Sequence, residues 1–91
     1  MSEEIPVILI GRKPAMNYVA AVAVQFNSGS TKVLLRARGR AISTAVTTAE
    51  IVRRMLPGVE VENISIGTEM VGEPGQERPV STMEILLVKK A

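Results

Sequence analysis

Arg36-Ala37-Arg38-Gly39-Arg40 sets three guanidinium groups within five residues, and Arg12-Lys13 adds a second basic pair upstream. Cations at this density do one kind of chemistry well, which is to neutralise and hydrogen-bond phosphate oxygens. From Gly11 to Arg54, eight cations (Arg12, Lys13, Lys32, Arg36, Arg38, Arg40, Arg53 and Arg54) face the single carboxylate Glu50, a local net charge of +7. The rest of the chain has three cations against eight glutamates, or −5, so the total of +2 conceals a polarised charge map. Such a map concerns partners rather than fold, and polyanions come first.

Other chemistries find few residues to work with. The chain has no Cys, hence no disulfide framework or thiolate, and no His, the commonest general base and transition-metal ligand. Gly11-Arg12-Lys13-Pro14 lacks the two spaced glycines and Lys-Ser/Thr of a nucleotide-binding loop. Asp is absent and the glutamates are scattered, so a two-metal nuclease site would have to be assembled from distant positions. Ser43, Thr44, Thr47 and Thr48 have no His to activate them; a Lys base stays formally open, but a polar helix face is the better reading. The chain therefore reads as a non-enzyme needing no cofactor and no metal. Tyr18 and Phe26 are its whole aromatic supply, which favours contact with a duplex backbone over stacking on single-stranded bases. Asn and Gln are scarce near the basic cluster, which argues against reading base edges.

Short elements must present these cations. Ile5–Ile10 is an apolar, β-branched run interrupted only by Pro6, and it predicts a strand buried on both faces. Pro14 suits a helix start, and Ala15–Phe26 is apolar nearly all round, a helix that needs cover on more than one side, with Gly29 ending it. Thr31–Arg38 alternates, with Val33, Leu35 and Ala37 on one face and Lys32, Leu34, Arg36 and Arg38 on the other. Ile42, Ala45, Ala49, Val52 and Leu56 recur at helical spacing until Pro57-Gly58. Val59–Ile66 alternates with a slip of phase at Asn63, predicting a bulged strand. The turn-rich Met70–Pro79 stretch then leads into a returning strand over Val80–Val88, making a long hairpin. The expected fold is α/β, a two-layer sandwich in the order β-α-β-α-β-β, with a mixed four-stranded sheet and a long C-terminal hairpin. Residues 1–91 form one domain in this reading, and a right-handed first crossover makes the first two strands parallel neighbours.

Parallel strands bring the loops after them to one edge, so Arg12 and Lys13 should approach Arg38 and Arg40. Both loops lead into helix N-termini, where free N–H groups make the potential positive and Asp or Glu would stabilise. Cations at both starts make sense when an anion, phosphate above all, is to sit there. Gly39 lets backbone approach a ligand closely as well as serving a turn. Arg53 and Arg54, near the end of the second helix, are accounted for by the helix dipole.

Ile10-Gly-Arg-Lys-Pro-Ala-Met-Asn-Tyr-Val19 and Arg36-Ala-Arg-Gly-Arg-Ala-Ile-Ser43 resemble the Alba family of archaeal chromatin proteins. The resemblance runs on through Glu50-Ile-Val-Arg53 and Val80-Ser-Thr-Met-Glu-Ile85, nearly the whole chain. It implies a homodimer that binds double-stranded DNA, and also RNA, with little sequence preference. It further implies that the dimer coats and compacts chromosomal DNA and associates into filaments, or pairs with a paralogue. By position, Arg12 and Lys13 match the family's basic pair and Arg38 and Arg40 its arginine pair, with Gly39 between them. The Met70–Pro79 tip matches arms that reach the minor groove, with Arg78 its only cation near Glu69, Glu73 and Glu77. Members regulated by lysine acetylation carry Lys at the position of Arg12, so here the modification would move to Lys13. Met55 stands where some members carry an aromatic residue for dimer–dimer packing.

An RNA-binding subunit of a ribonucleoprotein is the alternative, as is an interaction module docking an acidic protein or small phosphorylated ligand on its basic rim. Met1-Ser2-Glu3-Glu4 is acidic where a secretory signal would be basic, and no apolar run approaches the roughly 18 residues of a membrane span, so a cytoplasmic location without membrane contact is expected, and the resemblance implies association with the chromosome there. A chain of 91 residues with 46% hydrophobic but 2% aromatic content must build an aliphatic core that dimerisation would help stabilise.

Overall fold

The alternation seen at Thr31–Arg38 organises the molecule. A computed structural model describes residues 4–90; Met1, Ser2 and Glu3 of the acidic N-terminal stretch, and Ala91, lie outside them. The elements are β1 (Val7–Leu9), α1 (Ala15–Asn27), β2 (Lys32–Arg38), α2 (Ala41–Met55), β3 (Val59–Val71) and β4 (Arg78–Lys89). They build one four-stranded sheet in the order β1-β2-β4-β3. β1 and β2 are parallel, the other pairings antiparallel, giving the expected mixed α/β sheet.

Val33, Leu35 and Ala37 of β2 are buried with Ile85 and Leu87 of β4 on one face, where Val19, Val22 and Phe26 of α1 and Ala45, Ala49 and Val52 of α2 close the core. The other face is open, and β2 presents Lys32, Arg36 and Arg38 there. One covered face corrects the expectation for the first strand. Val7 is 42% and Leu9 68% exposed, because both helices lie on one side of the sheet and β1 is an edge strand; Ile8 alone of its three residues turns toward the core. An apolar run signals a demand for burial, and within one chain that demand is met on one side only.

The serine/threonine face of α2 also needs correcting. Ser43 and Thr47 are exposed, but Thr48 is fully buried. Its hydroxyl donates to the carbonyl of Thr44 at 2.8 Å, so the helix itself satisfies the polar atom and the methyl packs in the core. α1 keeps Met16 exposed on the flank of its buried stripe and Val24 exposed opposite it, in line with an all-round apolar helix that one sheet cannot cover. In the hairpin, register passes from Val61↔Leu87 to Asn63↔Leu86, which makes Glu62 the additional residue of the expected bulge.

Candidate nucleic-acid interface

Leu9 pairs with Arg36, and the Ile10 amide donates to the Arg36 carbonyl at 2.9 Å, so the chain segments after β1 and β2 leave the sheet at the same end. Arg12 and Lys13 lie in the first segment; Gly39 and Arg40 lie in the second, with Arg38 as the last residue of β2. The hairpin extends past this end. Arg38 faces Thr82, the Gly39 amide donates to the Ser81 carbonyl at 2.8 Å, and β4 continues outward to Arg78, about 10 Å further at strand spacing. The fold thus brings Arg12, Lys13, Arg38, Gly39, Arg40 and the hairpin tip with Arg78 to one end of the sheet. α2 runs back to the other end, which carries Arg53, Arg54 and the exposed Met55 away from the rim.

Neither helix that starts at this rim has an acidic residue in its first turn or a side-chain cap. Pro14 precedes α1 in an extended conformation (φ −57°, ψ 149°) and Arg40 precedes α2. Gly39 adopts φ 56°, a left-handed turn that lets β2 pass into α2 while its amide still reaches Ser81. Backbone donors, two helix dipoles and exposed cations therefore converge where an anion is favoured.

A model of the Alba family matches residues 6–68. The chain is 55% identical over 84 residues to the DNA/RNA-binding protein Alba 1 of Archaeoglobus fulgidus, covering 91% of this chain and 94% of that one. The chain belongs to the Alba family. The DNA/RNA-binding protein Alba of Methanocella arvoryzae is 53% identical over 83 residues, 89% of this chain and 86% of its own. In three dimensions, Alba from Thermoplasma volcanium superposes with a TM-score of 0.85 at 42% identity, covering 91% of this chain and 99% of that one.

Within this Alba chain two features of the rim escaped sequence reasoning. The first is Tyr18, whose Oη accepts the amide N–H groups of Gly11 at 2.9 Å and Lys13 at 3.1 Å. One phenol thereby ties the basic loop to the first turns of α1 and fixes the backbone on both sides of Arg12. Its sequence signal was faint: the chain's single tyrosine, close behind the loop it holds.

The second is the placement of the acidic residues. Lys32 pairs with Glu62 (3.4 Å), Arg36 with Glu84 (2.7 Å) and Arg38 with Glu69 (2.8 Å), all across the open face of the sheet. The basic and acidic parts of the sequence are separate along the chain but interleaved in space, since the hairpin lays its glutamates beside β2. Arg12, Lys13 and Arg40 make no ion pair with a described carboxylate, so these rim cations remain available to an external anion.

Proposed function

We propose that this chain binds double-stranded DNA, and RNA duplexes as well, without sequence preference, and that it does so as a homodimer whose paired rims hold the sugar-phosphate backbone. Arg12, Lys13, Arg38 and Arg40 contact phosphates, Gly39 admits the backbone closely, and Arg78 at the hairpin tip reaches the neighbouring groove. The observation that carries this reading is the convergence of two uncapped, cation-bearing helix starts and the hairpin tip at one end of the sheet. The relatives described above are DNA/RNA-binding proteins, which supports it.

The dimer has a physical motive. β3 is an edge strand of 13 residues, and its side chains Ile64, Ile66 and Met70 lie on the helix-facing side beyond the reach of the helices, 52%, 79% and 56% exposed. A long apolar edge of this kind invites pairing, and a second copy covers it. Met55, at the far end of α2, is left for contacts between dimers, which would let bound dimers coat and compact chromosomal DNA. Pairing with a paralogue uses the same apolar edge. Binding proceeds without catalysis, and the location follows the ligand, in the cytoplasm on the chromosome. Lys13 is the acetylation target at the rim, where loss of its charge would weaken phosphate contact.

Salt-dependent titration of DNA and RNA duplexes tests the proposal. With half or more of the four rim cations on each subunit at phosphates, log K falls against log salt with a slope of about −4 to −7. An Arg38→Ala, Arg40→Ala double variant should lose affinity equally on all sequences and show a slope shallower by up to about 3.6 per dimer. Binding that is indifferent to salt, or unaltered in the double variant, overturns the reading.

A further inference from the structure

Among the described residues, Arg38 is the one rim cation held by a carboxylate. Its Nη1 lies 2.8 Å from Oε1 of Glu69, and both side chains are about half exposed. Glu69 belongs to β3 and pairs with Val80, whereas Arg38 pairs with Thr82, so the contact reaches across β4. The hairpin therefore brings an anion of its own to a guanidinium at the phosphate-binding rim. Carboxylate and phosphate oxygens compete for the same planar fork of donors.

We infer that Glu69 is an affinity-determining residue of the interface, an intramolecular competitor that a backbone phosphate must displace from Arg38. This rests on the reading of the rim given above. The pair is exposed and water screens it, so the latch is displaceable and sets a threshold rather than a block. Once displaced, Glu69 remains beside the incoming phosphate, and like-charge repulsion adds to the penalty. The other two cross-sheet pairs, Arg36–Glu84 and Lys32–Glu62, lie further from the rim along β2 and leave Arg12, Lys13 and Arg40 untouched.

The test is a double-variant cycle on the full-length chain with a duplex DNA probe, comparing wild type, Glu69→Gln, Arg38→Ala and the combination. Glu73→Gln, in the turn between β3 and β4 and paired with no described cation, reports the generic effect of removing one negative charge. Glu69→Gln should tighten binding about two- to fivefold per subunit at low salt. It should also steepen the salt slope by up to about 0.9 per subunit as Arg38 becomes a free cation. The gain should shrink, when Arg38 is alanine, to the smaller effect of removing one charge that Glu73→Gln reports. No gain in Glu69→Gln while Arg38→Ala still weakens binding overturns the latch and leaves the rim reading intact. A gain of equal size in Glu69→Gln, in the combined variant and in Glu73→Gln also overturns it, since the effect would then be charge alone. If Arg38→Ala binds like wild type, Arg38 makes no phosphate contact, and the reading of the rim at that residue fails together with the latch.

Discussion

Replacing Tyr18 by Phe removes one oxygen atom and no charge, which makes it a sharp probe of how the basic loop is held. The oxygen accepts two backbone N–H groups, from Gly11 and Lys13, on either side of Arg12. Each such bond contributes about 0.5–1.5 kcal/mol net, and because these amides are exposed enough to turn to water the low end applies, about 1 kcal/mol for the two together. In a domain of this size 1 kcal/mol lowers Tm by about 4–8 °C. A loop set loose must then be reordered on binding, at about 1–2 kcal/mol for each residue fully fixed, so a partial loss of order across Gly11–Lys13 weakens duplex binding about fivefold. The salt slope should not change, since every cation is still present. Amide hydrogen exchange at Gly11 and Lys13, read by NMR, should accelerate, while calorimetry and a salt series supply the other two numbers. Unaltered exchange at both amides with wild-type Tm would refute the anchoring role. A shallower slope would show that Tyr18 changes the number of phosphate contacts and not their order.

Two further outcomes follow from the geometry. Gly39→Ala should destabilise the chain by about 1–2 kcal/mol in urea unfolding, through the left-handed backbone at φ 56° rather than through crowding, since the added methyl lies 3.4 Å from Val80. Leu35→Ala removes a fully buried side chain from the centre of β2 and should cost about 2–5 kcal/mol, enough to leave much of the population unfolded in a small domain unless dimerisation compensates; far-UV circular dichroism across a concentration series checks it.

Local pattern and tertiary arrangement contributed different things to this protein. The elements, their order and the core-facing residues of β2 and α2 were legible because alternation and helical spacing are local, short-range consequences of backbone geometry. So was the clustering of cations at two strand-to-helix junctions, since the junctions and the charges are adjacent in the chain. Burial at Val7, Leu9 and Thr48 was not legible: it depends on which face of the sheet the helices cover, and on a hydroxyl satisfied by its own helix. Nor was the neutralisation of Lys32, Arg36 and Arg38, which lie 30, 48 and 31 residues from Glu62, Glu84 and Glu69. Composition counts charges but carries no distances. Electrostatic interaction falls with separation in space, and only the order β1-β2-β4-β3, with the hairpin folded beside β2, decides which charges are spent on each other and which remain at the rim.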